Sequence, residues 1–334
     1  MPTTSLTPLS QLTNQSTPQA GGKGASLGEM MSANIPVPDG FVVLASGFDE
    51  YISSSGLAGE IKARLSQVNI DDVNSIEKTS VILRDCFHDT PLPVKQADEI
   101  LQAFDRLNVP LVAVRSSATA EDSNVASWAG ELETFLNTDR ACLTDNIKKC
   151  WSSLFTPRAI FYRHEKKMMD SAVSVAVVVQ AMIQSDVSGI CFTVHPVTED
   201  KNSLIIEAGL GLGEAIVGGQ ITPDSYVVDK TDMSVNDINV AIQSKKLIRR
   251  LVKSSRPASL SPGFIIPPDP NQWVELSESQ GGQQKMTGRQ IIELAELCVK
   301  IEKRYGYPCD IEWAMANNKF YITQCRPITT LKNN

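Results

Sequence analysis

A chain of 334 residues is long enough for two or three domains or lobes, and an apolar fraction of 42% supports a large buried core. A formal net charge of −7 without a basic block argues against nucleic acid as the main partner, so a polyanionic ligand would need locally placed arginines and lysines. Seven cysteines (Cys86, Cys142, Cys150, Cys191, Cys298, Cys309 and Cys325), with no C-x-x-C pair, read as reduced thiols in a cytoplasmic protein and not as a disulfide framework or zinc site.

Met1 to Ala20 lacks a basic end and an apolar centre, so no signal peptide is expected, and no run reaches membrane-spanning length. Leu27 to Met31 is predicted on a helix entered through Gly21-Gly22-Lys23-Gly24, and Phe41 to Leu44 as a short strand after a Pro-Asp-Gly turn. Residues 57–107 read as mostly helical, with breaks near Asp71-Asp72 and at Pro91-Leu92-Pro93. Leu111 to Arg115 is a strand running into a loop of small residues, and Trp151 to Met169 has the spacing of one amphipathic surface helix. Val173 to Ile183 and Gly189 to Val194 are predicted strands, adjacent if Gln184-Ser185-Asp186 joins them. Ser203 to Ala208 and Ser225 to Asp229 follow as strands, Ser254 to Gln272 as a Pro/Ser-rich connector, and Ser277 to Gln284 as a polar loop. Thr287 to Tyr305 is a helix with a basic last turn. Two alternating runs around Ala316-Asn317-Asn318-Lys319 close the chain as a β-hairpin.

Several segments carry candidate chemistry. Gly21 to Ser26 lacks the Walker spacing, yet small residues with Lys23 ahead of a helix let backbone amides approach an anion; an ordinary flexible turn fits equally. Arg115 ends an apolar strand before hydroxyl-bearing residues, and either clamps phosphate oxygens or pairs with Glu121 or Asp122. Gly130 and Thr134 fit a phosphate or ribose contact as well as a plain turn. Gln180 interrupts an apolar strand, where a buried amide needs partners, either an adenine edge or core groups. Gly209 to Ala215 is not a dinucleotide fingerprint and suits tight packing at a strand-to-helix corner; Glu207, just before it, could face a metal or a ribose. His88, His164 and His195 share no ligand spacing and read as structural. On the closing hairpin Asp310 and Glu312 share one face, as do Gln324 and Arg326. Together they could hold a divalent metal and a polyphosphate, or form a surface salt bridge.

The order of GGKGASLGEM, PVPDGFVV, VRSSATAEDSNVASWAGELETFLN, CWSSLFTPRAIFYR, VVVQAMI, SGICFTVHP, IIEAGLGLGEAIVGG, PDSYVV and DIEWA…FYITQCRPIT resembles the N-terminal ATP-binding domain of the phosphoenolpyruvate synthase and pyruvate phosphate dikinase family. Within that family rifampin phosphotransferase looks especially similar. The resemblance covers about residues 20–330. It implies an α+β, two-lobed ATP-grasp-like fold, with lobes at residues 1–185 and 186–334. It further implies ATP and Mg²⁺ as ligands: Lys23 and Arg115 on the polyphosphate, Gly130 and Thr134 in a loop over it, and Gln180 beside adenine. Glu312 and Gln324 would hold Mg²⁺, Asp310 would lie nearby, and Arg326 would bind the terminal phosphates, leaving Lys23, Arg115 and Arg326 as the catalytic cations.

In the family a mobile domain carries a histidine that attacks ATP, and neither its threonine- and glycine-rich segment nor an acceptor domain is found here. The expectation is an ATP-dependent phosphotransferase part, a stand-alone subunit or an excised domain, working with a histidine-bearing phosphocarrier and a small-molecule acceptor. A self-sufficient kinase or ATP-grasp ligase acting directly on a small acceptor is the alternative, and a non-catalytic nucleotide-binding regulatory module a further one.

Overall fold

A computed structural model describes residues 5–119, 133–169, 173–249, 252–253, 264–265, 271–329 and 331. The fold is α+β and ATP-grasp-like, as the family resemblance implies. Contacts divide the chain into two compact units: Met1–Glu29 with Asp39–Met182, and Met30–Pro38 with Ile183–Asn334. No helix among the described residues is long and apolar enough to cross a membrane.

The first unit runs β1 (Leu6–Pro8), α1 (Thr17–Ser32, shared with the second unit), β2 (Gly40–Val43), α2 (Ala45–Ser55), α3 (Leu57–Ser66), α4 (Val73–Asp89), α5 (Val94–Leu107), β3 (Val112–Ala118), β4 (Thr134–Thr138), α6 (Leu143–Ser152), α7 (Pro157–Glu165) and β5 (Val175–Ala181). The strands form an antiparallel sheet in the order β1-β2-β5-β3-β4. Strand β5 is central, and its run of valines suits a strand covered on both faces. Val175, Val177 and Val179 enter a core with Phe48, Tyr51, Phe87, Trp151 and Phe155. Each such valine is worth roughly 1.5–3 kcal/mol of burial.

The single surface helix expected over Trp151 to Met169 does not form. Trp151 is fully buried near the end of α6. Thr156 caps a new helix that starts at Pro157, where the fixed proline φ suits a first turn and breaks a continuing one.

The second unit contains β6 (Val187–Phe192), β7 (Ser203–Leu210), α8 (Glu214–Val217), β8 (Asp224–Asp229), β9 (Val235–Asn239), β10 (Lys245–Arg249), β11 (Val252–Lys253), β12 (Phe264–Ile265), β13 (Asn271–Glu275), α9 (Glu278–Gly281), α10 (Gly288–Tyr305), β14 (Cys309–Ala316) and β15 (Lys319–Pro327). A six-stranded sheet has the order β15-β14-β6-β7-β8-β9; β10 pairs with β13, and β11 with β12. Strands β5 and β6 belong to different sheets, which overturns their expected adjacency. The loop expected at Ser277 to Gln284 contains α9, closed by a Ser277/Gln280 capping box. Helix α10 begins at a Thr287/Gln290 capping box and ends at left-handed Gly306.

One face of the six-stranded sheet is core: Cys191, Ile206, Tyr226, Val228, Ile311 and Cys325 are buried there, and α10 packs on this sheet with Leu294, Ala295 and Cys298 buried. At the edge of this core Asp224 and Lys285 form a fully buried ion pair at 2.9 Å. Asp224 also accepts from the Tyr226 hydroxyl and from the Lys285 and Ala241 amides.

Candidate functional site

In the five-stranded sheet, side chains of Arg115 and Ser117 on β3 share a face with Val178 and Gln180 on β5, because Arg115 pairs with Val178 and Ala113 with Gln180. Helix α1 lies against this face. A Cβ on Gly21 would collide with the Ser117 hydroxyl and carbonyl, and Gly21 has φ 68° inside the helical stretch. A Cβ on Gly24 would crowd Val42, and its amide donates to Ser117 Oγ at 3.4 Å. Gly21 and Gly24 therefore permit the close approach of helix to sheet, with a break at Gly21. Lys23 follows that break on a half-buried turn.

Arg115 is buried at 8% exposure, and its Nη1 donates to Gln180 Oε1 at 3.5 Å. Thr134 opens β4 in register with Arg115 and is exposed. Glu133, just before it, is tied to Arg84 at 2.7 Å, and its carbonyl accepts from Ser116. Gly130, and the Glu121 and Asp122 proposed as alternative partners of Arg115, lie outside the described residues.

The closing hairpin forms with a two-residue turn. Asn317 and Asn318 take φ 51° and 58°, the left-handed pair that matches strand twist in a tight hairpin. Asp310 pairs with Arg326 and Glu312 with Gln324. Between Glu312 and Trp313 the register slips, leaving Thr323 as the extra residue. That bulge keeps Ile322 and Trp313 buried while Gln324 and Arg326 stay on the opposite face with the acids.

The register extends this polar face across the sheet. Glu312 lies opposite Ile190 on β6, which lies opposite Glu207 on β7; Asp310 lies opposite Phe192. Arg326 donates from Nε to Asp310 Oδ2 at 2.8 Å, and its Nη2 contacts the same oxygen at 2.8 Å. Burial lifts the Asp310 carboxyl above its usual range; Arg326 opposes the shift and Glu312 adds to it. Burial also lifts Glu207, reinforced by the Asp310 charge. A cation reaching these carboxyls would favour their ionised forms.

Among the described residues no three His, Cys, Asp or Glu side chains stand together as a metal cage. Glu312 and Gln324, as cross-strand partners, are a two-oxygen set of the kind Mg²⁺ uses when phosphate and water complete its shell. The chemistry of the donors therefore fits Mg²⁺ bound together with a polyphosphate.

The glycine turn at Gly209 to Gly213 serves packing. Gly211 has φ 94°, a Cβ there would collide with the Leu247 carbonyl of β10, and its own carbonyl accepts from Ser185 and Ser188. His195 also serves a turn: its Nδ1 accepts from the Val197 and Thr198 amides. His88 and His164 are exposed on α4 and α7. Sequence reasoning missed Ser117, which receives α1, and the contact between Arg115 and Gln180. Gln180 interrupts an apolar strand and Arg115 ends an apolar run, but only register brings the two residues onto one diagonal.

Comparison with known proteins agrees with these motifs. The family model for the pyruvate phosphate dikinase AMP/ATP-binding domain matches residues 17–334. The chain is 38% identical over 331 residues to a probable phosphoenolpyruvate synthase of Methanocaldococcus jannaschii, covering 97% of this chain and 26% of that protein. It is 40% identical over 321 residues to a probable phosphoenolpyruvate synthase of Archaeoglobus fulgidus, covering 94% of this chain and 40% of that protein. A phosphoenolpyruvate synthase of Pyrococcus furiosus is 36% identical over 363 residues, covering 96% of this chain and 43% of the relative. The chain thus spans less than half the length of each of these relatives. On the family match over nearly its whole length, this chain belongs to the pyruvate phosphate dikinase AMP/ATP-binding domain family.

Proposed function

We propose that this chain is the Mg-ATP-binding part of a dikinase-type phosphotransferase, preparing ATP for phosphoryl or pyrophosphoryl transfer to a histidine on a separate domain or protein. The observation that carries the reading is the cross-strand set Asp310/Arg326 and Glu312/Gln324 on one face of a sheet, in a chain of this family. Lys23, Arg115 and Arg326 supply positive charge to the phosphates, and Gln180 meets adenine. Thr134 and Gly130 belong to a segment that contacts the phosphates. Bound Mg²⁺, held by Glu312 and Gln324, would neutralise phosphate charge. Phosphoryl transfer needs mainly alignment and charge neutralisation, so this chain requires no nucleophile of its own. The greater length of the phosphoenolpyruvate synthase relatives supports a histidine and an acceptor site housed outside the matched region.

Product analysis tests the reading. ATP incubated with Mg²⁺, this chain and a histidine-bearing family domain should yield AMP and phosphate, with little turnover when that domain is left out. ADP formed with a small acceptor and no such domain would replace this reading with a self-sufficient kinase or ligase. Tight ATP binding with no turnover in either mixture would point to a regulatory nucleotide module.

A further inference from the structure

Gln180 lies on the central strand of the five-stranded sheet at 2% exposure, so its amide has almost no access to water. Its Oε1 accepts from Arg115 Nη1 at 3.5 Å, a long but directed contact. Arginine offers only donors, so the amide must turn its oxygen toward Arg115 and its nitrogen away. That nitrogen, Nε2, is buried and has no hydrogen-bond partner among the described residues. An unused buried donor is unfavourable unless something arrives to accept from it.

The surroundings limit the freedom of both side chains. Gly40 pairs with Gln180 on the β2 side and Ala113 on the β3 side, so no neighbouring side chain in that row competes for the amide. Val178, in register with Arg115, is fully buried beside the base of the guanidinium stem. We propose that Gln180 is a positioning residue for Arg115: its Oε1 fixes the guanidinium for phosphate oxygens, while its Nε2 is the donor left for the nucleotide base. Base recognition and phosphate binding are thereby coupled through one amide, in place of the adenine contact alone. This rests on the proposed role of Arg115 in phosphate binding.

Tripolyphosphate, which has no base, separates the two tasks. The full chain with Mg²⁺ is titrated calorimetrically with tripolyphosphate and with ATP, comparing the unaltered protein, Gln180→Met, Gln180→Leu and Arg115→Ala. Thermal melts confirm that each variant folds. Gln180→Met is expected to weaken tripolyphosphate binding about tenfold, as the loss of a hydrogen bond to a charged group would, and to weaken ATP binding further. In the Arg115→Ala background the same change should alter tripolyphosphate affinity less than about twofold, since residues acting through one another are not additive. Gln180 variants that bind tripolyphosphate normally while losing ATP would overturn the positioning role and leave a base contact only. An undiminished tenfold effect in the Arg115→Ala background would overturn it too. Unchanged tripolyphosphate binding by Arg115→Ala alone would instead remove the phosphate role of Arg115, and the inference with it.

Discussion

Arg115 and Arg326 both sit on antiparallel strands and are both proposed to bind phosphate, yet their surroundings differ. Arg115 lies inside the five-stranded sheet, 8% exposed, with a neutral amide at its Nη1. Arg326 lies on an edge strand of the six-stranded sheet, its side chain 51% exposed, with Asp310 on its Nε and Nη2. The amide oxygen of Gln180 orients the Arg115 guanidinium, whereas at Arg326 the carboxylate offsets much of the field that the guanidinium would present. A phosphate reaching Arg326 competes with Asp310 and relieves a half-buried ion pair in water-screened surroundings. If both arginines bind phosphate as proposed, the buried one would be oriented in advance by Gln180, and the exposed one would first have to leave Asp310.

The largest effect expected along this axis of burial is at the fully buried pair of the second unit. Lys285→Met removes the ammonium partner of the buried Asp224, and should reduce unfolding stability by about 3–5 kcal/mol in urea titrations. A loss below about 1 kcal/mol would show that burial does not decide how much such a pair matters here. Next comes Arg115→Ala, expected to weaken Mg-ATP binding roughly 100-fold, the scale of a lost charged hydrogen-bonding group. Equal losses of affinity in Arg115→Ala and Arg115→Lys would favour a need for the fork geometry of arginine over charge alone. Asp310→Asn should have an opposite and smaller result, tightening phosphate binding by a few-fold as Arg326 is released. Tripolyphosphate titrations would contradict that expectation if Asp310→Asn bound more weakly, as it would if Asp310 itself carried the metal. Smallest of all, Arg326→Ala should change unfolding stability by under about 1 kcal/mol, because its pair with Asp310 is largely exposed on the arginine side.

Much of this contrast was legible in the chain itself. Short apolar, β-branched runs located β3, β5 and β7, alternation located both strands of the closing hairpin, and the i, i+2 rule put Asp310 with Glu312 and Gln324 with Arg326. What failed was information held between segments. Apolar spacing suggested one helix from Trp151 onward, although Pro157 begins a new one, since periodicity alone overlooks a proline that can start a helix as readily as break it. Two consecutive valine- and isoleucine-rich strands looked like neighbours, but a short polar link does not reveal that they join different sheets. The β10–β13 ribbon escaped notice because Lys245 and Lys246 interrupt its alternation and its partner strand is distant in sequence. Gly21 and Gly24 lie close to Ser117 and Val42, a packing reason for glycine that stands beside the anion-loop reading of this segment. Compositional readings cannot distinguish backbone approach to a ligand from backbone approach to a sheet.

The polar face of the closing hairpin is proposed to hold Mg²⁺ and the terminal phosphates of ATP. Calorimetric titration of ATP, with and without Mg²⁺, into the unaltered chain, Glu312→Ala and Arg326→Ala tests it most directly. The expected result is Mg-dependent binding that Glu312→Ala abolishes and Arg326→Ala weakens at least tenfold, with both variants melting as the unaltered chain does. Unchanged ATP affinity in both variants, or binding indifferent to Mg²⁺, would contradict it.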